Sequence, residues 1–315
     1  MQNKPRLVHS PPAVTLLGLL SIQLENNMRI IKSILVTIGI IAIGESSAFA
    51  AVVAIPYINN FESTTIGSAP VDFTNGKSSD QTITTTVETG SNGTNVMHAV
   101  ITNSNSGSTK ALSLVGAGTT FSSEGGFIMS SDFNVLTGST GNGGYRIGFS
   151  ALQRDSNPTN SNGGVWAFLN SNGTVALQNT QSGAALSNLT TTSDFGTLVL
   201  GATYTASLTG TYVDGNLTLT YTITQTGNVL NGTDLNIGKS ATASAIILAN
   251  QFTGTNFGYA LFDGPAAWQG GQTLTVDLDN FSLSAIPEPS TYVLLLVGFA
   301  IMLFLHKHLF RKAKT

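Results

Sequence analysis

Residues 204–225 read YTASLTGTYVDGNLTLTYTITQ. Leu217, Leu219, Tyr221 and Ile223 recur at every second position, and threonines fill the positions between them. A period of two puts the apolar set on one face of a strand and the hydroxyls on the other. Asp214-Gly215 lies midway, and this pair readily supplies the two positive-φ positions of a type I′ turn. The stretch reads as a β-hairpin with one face in a core and one in water.

The same texture extends in both directions. Upstream, Ala51 to Phe61, Gln81 to Thr86, Val96 to Asn103, Ala111 to Val115 and Gly126 to Asn134 read as strands. Tyr145 to Gln153 alternates Tyr145, Ile147 and Phe149 against Arg146, Gly148 and Ser150. Val165 to Gln178 forms a second hairpin, in which Asn172-Gly173 is expected to supply both positive-φ positions of a type I′ turn. Downstream, Ala245 to Leu248, Phe257 to Asp263 and Thr273 to Leu283 complete the series. No stretch of helical period interrupts residues 51–285. About a dozen strands joined by Gly, Asn and Asp turns predict an all-β domain, a two-sheet sandwich of jelly-roll type. A β-helix is the other architecture considered, but the fixed period of about 20 residues that it needs is missing.

The ends of the chain differ from this domain. Arg29 and Lys32 precede an apolar run from Ile34 to Ile43, and Ala48-Phe49-Ala50 is a small-x-small site. These are the three parts of a secretory signal peptide over residues 28–50, with cleavage expected after Ala50. Residues 1–27 are read as a misassigned start or an extension of that signal, with translation expected to begin at Met28. At the other end, residues 286–315 read IPEPSTYVLLLVGFAIMLFLHKHLFRKAKT. Pro287 and Pro289 bracket Glu288 and hold the chain extended, so folded structure should stop there. The uncharged run from Tyr292 to Leu305 is somewhat short of the roughly 20 residues that span a bilayer. Leu309 and Phe310 could complete it, with His306, Lys307 and His308 snorkelling. Lys307, Arg311, Lys312 and Lys314 would keep the C-terminus in the cytoplasm. The expected architecture is thus a sandwich flanked by an N-terminal signal helix and a C-terminal transmembrane helix.

The order Pro-Glu-Pro, short apolar helix, basic tail resembles the PEP-CTERM sorting signal of Gram-negative envelope proteins. Here the basic end is Lys-rich with two His, where that family usually has Arg. The resemblance implies recognition near Pro287, Glu288 and Pro289 by exosortase, a membrane-embedded cysteine transpeptidase-like enzyme. It implies a transient inner-membrane anchor, then transfer to the outer envelope or extracellular polysaccharide. An ordinary permanent membrane anchor is the plainer alternative.

Composition narrows the function. Residues 51–285 carry five Lys and Arg against thirteen Asp and Glu, a net of −8 that the basic ends mask in the whole-chain value of −3. An acidic domain without a basic cluster argues against nucleic acid and against anionic lipid. There is no cysteine, so disulfides and thiol chemistry are excluded. The domain has one histidine, His98, read as an ordinary strand residue. No Gly-x-Ser-x-Gly, HExxH, phosphate loop or dinucleotide fingerprint occurs.

The hairpin at Tyr204–Gln225, the strand at Phe257–Asp263 and the closing stretch Val276 to Leu283 resemble concanavalin A-like and laminin-G-like sandwiches. Glycosidases of such folds use two carboxylates about 5–9 Å apart. Asp277-x-Asp279 puts two acids on one strand face but lacks a third. Phe61-Glu62 and Asp279-Asn280 resemble the pair of strand ends that a structural calcium ties together in carbohydrate-binding jelly rolls. That likeness implies Glu62, Asp279 and Asp277 as calcium ligands, to be completed by backbone carbonyls. Against it stands the reading of solvated strand-end acids. Sugar stacking needs an exposed aromatic face. Trp268, in the Gly- and Pro-rich loop 264–271, fits better than Tyr145, Tyr259 or Trp166, which shares a strand face with Phe168 in the manner of a core pair. The leading expectation is a non-enzymatic structural or adhesive envelope protein associated with exopolysaccharide. A lectin-like module comes second and a glycoside hydrolase third.

Overall fold

The computed structural model describes residues 56–70, 72–77, 81–103, 111–116, 125–138, 144–154, 163–180, 184–186, 190–193, 195–230, 232–262, 272–288 and 294–303. The expected signal peptide, Trp268, Pro289 and the basic tail lie outside these residues.

The described residues form fifteen strands. The first seven are β1 (Pro56–Asn59), β2 (Phe73–Lys77), β3 (Gln81–Thr89), β4 (Asn95–Asn103), β5 (Ala111–Gly116), β6 (Gly126–Thr137) and β7 (Arg146–Gln153). Then come β8 (Val165–Asn170), β9 (Val175–Asn179), β10 (Thr190–Ser193) and β11 (Ala202–Val213). The last four are β12 (Asn216–Asn228), β13 (Ser240–Leu248), β14 (Asn256–Phe262) and β15 (Gln272–Ile286). They form two antiparallel sheets, the sandwich expected. The nine-stranded sheet runs β10-β13-β12-β11-β6-β15-β4-β3, with β1 also on β15, and the six-stranded sheet runs β2-β5-β14-β7-β8-β9.

The β11–β12 hairpin behaves as its sequence requires. Asp214 (φ 49°) and Gly215 (φ 75°) both take left-handed backbone. Leu217, Leu219, Tyr221 and Ile223 are buried at 0–1% exposure. Nothing lies within 4 Å of where a Gly215 side chain would begin, so only backbone strain opposes a substitution. Gly215→Val is expected to cost about 1–2 kcal/mol, the penalty of a left-handed β-branched residue, as read by chemical denaturation.

The β8–β9 turn departs from expectation. Only Gly173 (φ 86°) is left-handed, and Asn172 is not. The loop spans three residues: Asn170 N–H donates to Thr174 O at 2.8 Å and Gly173 N–H to Asn170 O at 2.8 Å. Asn172 Oδ1 accepts from Thr174 N–H at 3.0 Å, a local bond made with Asn172 outside the left-handed region, which leaves Gly173 alone to supply the positive φ.

The inward faces meet in a core rich in aromatics. Tyr259 of β14 is its hub. It lies 5.7 Å from Phe73, 5.7 Å from Phe133, 6.3 Å from Phe149 and 5.2 Å from Phe281, centroid to centroid. Phe133 and Phe281 belong to the nine-stranded sheet, so Tyr259 fastens one sheet to the other. Trp166 and Phe168 are buried, but in a second cluster with Leu112, Leu114, Ala176, Ala260 and Phe262, apart from the inter-sheet core. The pair is thus a core pair, as expected, but its core is this second cluster: alternation along β8 fixes a shared face but not which face. Arg146 lies over this cluster, its guanidinium 5.0–5.5 Å from the Phe168, Phe262 and Trp166 rings. Burial lowers its pKa, and the ring faces offer partial compensation.

β15 organises one end of the domain. Its partner β6 follows it over most of its length, while β4 pairs with Gln272–Leu278 and β1 with Phe281–Ser284. The change of neighbour falls at Asp279–Asn280. There Asn280 has φ 53° and the register against β6 slips. This β-bulge turns the strand locally and re-aims two side chains. β15 continues to Ile286, so the sandwich ends immediately before Pro287. Residues 294–303 form a helix. No helix among the described residues is long and apolar enough to cross a membrane. The helix is nonetheless apolar and open: Leu294, Leu295, Leu296, Val297, Phe299, Ile301, Met302 and Leu303 are 41–72% exposed.

Candidate functional site

Alternation on β6 and β15 sends Phe133, Val276 and Leu278 inward and Asp132, Asn134, Asp277 and Asp279 outward. Antiparallel register then places Asp132 opposite Asp279 and Asn134 opposite Asp277. On the other side of β6, Asp132 faces Thr205 and Asn134 faces Thr203. The turn between β3 and β4 (Gly90, Ser91, Asn92), Thr226 near the end of β12 and Val229 just beyond it wall this area. The result is an open groove of about 280 Å³ on the outer face of the nine-stranded sheet.

Hydrogen bonds fix the groove's carboxylates. Asp132 Oδ1 accepts from the Thr205 hydroxyl at 2.6 Å and Oδ2 from Asn280 Nδ2 at 2.8 Å. Asp279 Oδ1 accepts from the Asn280 N–H at 2.7 Å; the Thr94 hydroxyl lies 3.5 Å from Oδ2 but has a nearer acceptor in Asn92 Oδ1 at 2.7 Å. The bulge itself is tied to the core. Ser131 Oγ donates to the Asp279 carbonyl at 2.6 Å, which leaves Tyr259 O–H to donate to Ser131 at 2.7 Å. The hub of the core therefore supports the backbone of the groove.

Electrostatics follow from this crowding. Burial raises the Asp279 pKa most, its own backbone bond to Asn280 opposes, and the negative charges of Asp132 and Glu62 raise it further. Asp279 thus adds stability that is present at low pH and lost as pH rises through its folded-state value. Asp277, only 7% exposed, accepts from His98 Nδ1 at 2.7 Å. That bond raises the His98 pKa above 6.5; burial opposes it, and the charges of Asp277 and Glu88 add to it. The stability it contributes is full below the unfolded value of 6.5 and is lost as pH rises through the higher folded value. His98→Gln should therefore flatten the fall in melting temperature between about pH 6 and pH 8, removing about 1 kcal/mol of pH-dependent stability. A wild-type profile with no fall over that window would contradict the pairing.

Asn134 stands apart. It is nine-tenths buried, its Nδ2 donates to Ser91 Oγ at 3.4 Å, and its Oδ1 has no partner among the described residues. A buried acceptor left unpaired costs about 1–3 kcal/mol.

Of the carboxylates expected around calcium, Glu62 and Asp279 lie within electrostatic reach of each other, as the pairing of β1 with β15 requires. Glu62 Oε1 accepts from Asn95 N–H at 2.9 Å, which ties the end of β1 to the start of β4. Asp277 is engaged by His98 instead. Among the described residues, no three acidic or histidine side chains are placed to hold a metal ion. Asp277 and Asp279 do share the strand face that alternation implies. Asp132, Asn134 and the His98–Asp277 bond escaped sequence reasoning, because cross-strand register joins positions far apart in the chain. Pro287 is exposed and Glu288 half-buried.

No family model matches the sequence, and no curated protein matches it. Among solved structures, the chain is similar to lectin UEA-II in complex with galactose, at 12% identity and a TM-score of 0.44, over 73% of this chain and 99% of that one. It is similar to basic winged bean lectin with Tn-antigen, at 13% identity and a TM-score of 0.40, over 75% and 99%. It is also similar to alginate lyase A1-II′, at 12% identity and a TM-score of 0.35, over 63% and 82%. Likeness this distant adds nothing on ligand or activity, and the functional reading rests on the chain's own residues.

Proposed function

We propose that this chain is an exported, non-enzymatic β-sandwich protein of the Gram-negative envelope, with a structural or adhesive role at extracellular polysaccharide. In this reading exosortase takes the chain from the inner membrane through its Pro287-Glu288-Pro289 signal. The observation that supports it is the junction at Ile286. The strand ends there, Pro287 and Glu288 lie outside any strand or helix, and the helix of residues 294–303 exposes eight large apolar side chains. Such a surface is unfavourable in water and suits lipid or a membrane enzyme. Replacing residues 287–289 with alanines should leave the full-length protein in the inner membrane, as fractionation with an antibody to the domain would show. Unchanged delivery to the envelope would contradict the role of the motif.

The groove favours a second reading, carbohydrate binding. Asp132, Asn134, Asp277, Asp279, Thr203 and Thr205 present carboxylates, an amide and hydroxyls in one open concavity, the polar groups that orient sugar hydroxyls. A glycan array on the purified protein tests it, and silence across the array would exclude it.

A further inference from the structure

We propose that the end of the sandwich from which the last strand leaves is a lipid-docking surface, resting on the bilayer while the chain is anchored. The inference rests on the anchored stage of the reading above. On the outer face of the nine-stranded sheet, the outward positions change character at one end. On β13 they run Ser240, Thr242 and Ser244, then Ile246 and Leu248. On β11 they are Thr or Ser from Thr203 to Thr211, then Val213. On β6, Asp132 and Ser130 give way to Ile128. Ile128, Val213, Ile246 and Leu248 are 39–64% exposed. Single exposed apolar residues are ordinary on a protein surface, but here the change falls on three strands at the same end.

The chain also leaves the domain at this end. Ile286 pairs with Gly126, Gly126 with Thr211, Thr211 with Thr218 and Thr218 with Ile246, so Ile286 and Ile246 share one row across the sheet. Val213 and Leu248 lie one row further out, on either side of Asn216. β1 starts at the same end, with Pro56 opposite Ser284. At about 4.8 Å per strand, the row from Ile286 to Ile246 spans about 19 Å. Seven residues, 287–293, join Ile286 to the helix of residues 294–303, a reach of about 25 Å at full extension. With that helix in the bilayer, this end of the sheet is held at the lipid surface, where its apolar side chains reach the acyl boundary. The β12–β13 connection exposes Leu230 and Leu235 as well, but it lies the length of β12 away. That is about 40 Å for 13 residues, farther than the connection reaches. The negative charge of the domain suits zwitterionic over anionic headgroups.

The chain has no cysteine, so Leu248→Cys, Val213→Cys and Leu235→Cys each take an environment-sensitive fluorophore at one site. The full-length labelled proteins are reconstituted in phosphatidylcholine vesicles, with and without bromine on the acyl chains. The labels at 248 and 213 should lose emission to the brominated lipid, and the label at 235 should not. Equal quenching at both ends, or none at any site in protein that floats with the vesicles, would overturn the docking surface and leave the anchor intact. Protein that does not float with the vesicles would overturn both the docking surface and the anchor. A blue shift of the labels at 248 and 213 that grows with protein concentration in the absence of lipid would make this end a contact between copies and overturn the lipid assignment.

Discussion

Tyr259→Ala is expected to cost about 4 kcal/mol of unfolding free energy, the scale of removing a large aromatic ring from a packed core. The reason is its position between sheets. The ring contacts Phe73, Phe133, Phe149 and Phe281, two of which come from the opposite sheet. Its hydroxyl also feeds the chain through Ser131 to the Asp279 carbonyl at the bulge. Tyr259→Phe separates the two contributions. It keeps the ring and loses one hydrogen bond, at about 1 kcal/mol, while Ser131 still donates to Asp279. Denaturant titration of the two variants gives both numbers. A cost below about 1 kcal/mol for the alanine variant would mean the sheets are not fastened here.

Gly148→Val should also be strongly destabilising, by about 3 kcal/mol or more, through overpacking in a central strand. β7 runs between β14 and β8, with Gly148 opposite Ala260 on one side and Phe168 on the other. A Cβ there would overlap the Ala167 carbonyl oxygen and lie 2.7 Å from the Phe168 Cα. Both obstacles are backbone in the middle of a sheet, so neither can swing aside. Gly215→Val, in open space, is the control that isolates backbone strain from collision. Similar losses at the two sites would refute the steric account of Gly148.

Several features were legible in the sequence because their causes are local. The one-sided burial of β12 follows from residues two apart, and the Asp214-Gly215 reversal follows from two residues that tolerate left-handed backbone. The all-β sandwich follows from repetition of these signals. Where two local choices compete, the reading failed. Asn172 bonds to Thr174 N–H through its own side chain and stays out of the left-handed region, so Gly173 turns alone. Short strands without apolar alternation were also invisible. β2 (FTNGK) and β10 (TTTS) carry almost no hydrophobic signal, and their partners β5 and β13 define them. Arg146 and Trp166 show a further reason. When both faces of a strand are covered, alternation no longer says which side is the main core. The groove was the least legible part. Asp277 and Asp279 could be placed on one face by counting, but Asp132, Asn134 and His98 join them only through register across three strands.

The exported-envelope reading is tested most directly by the intact mass of the protein recovered from envelope material. The sandwich closes at Ile286, and the apolar helix of residues 294–303 follows it. The expected mass corresponds to a chain that begins after Ala50, ends near residues 287–289 and carries no residue beyond 291. A mass that still includes residues 292–315 would make the tail a permanent anchor and contradict sorting by removal of the tail.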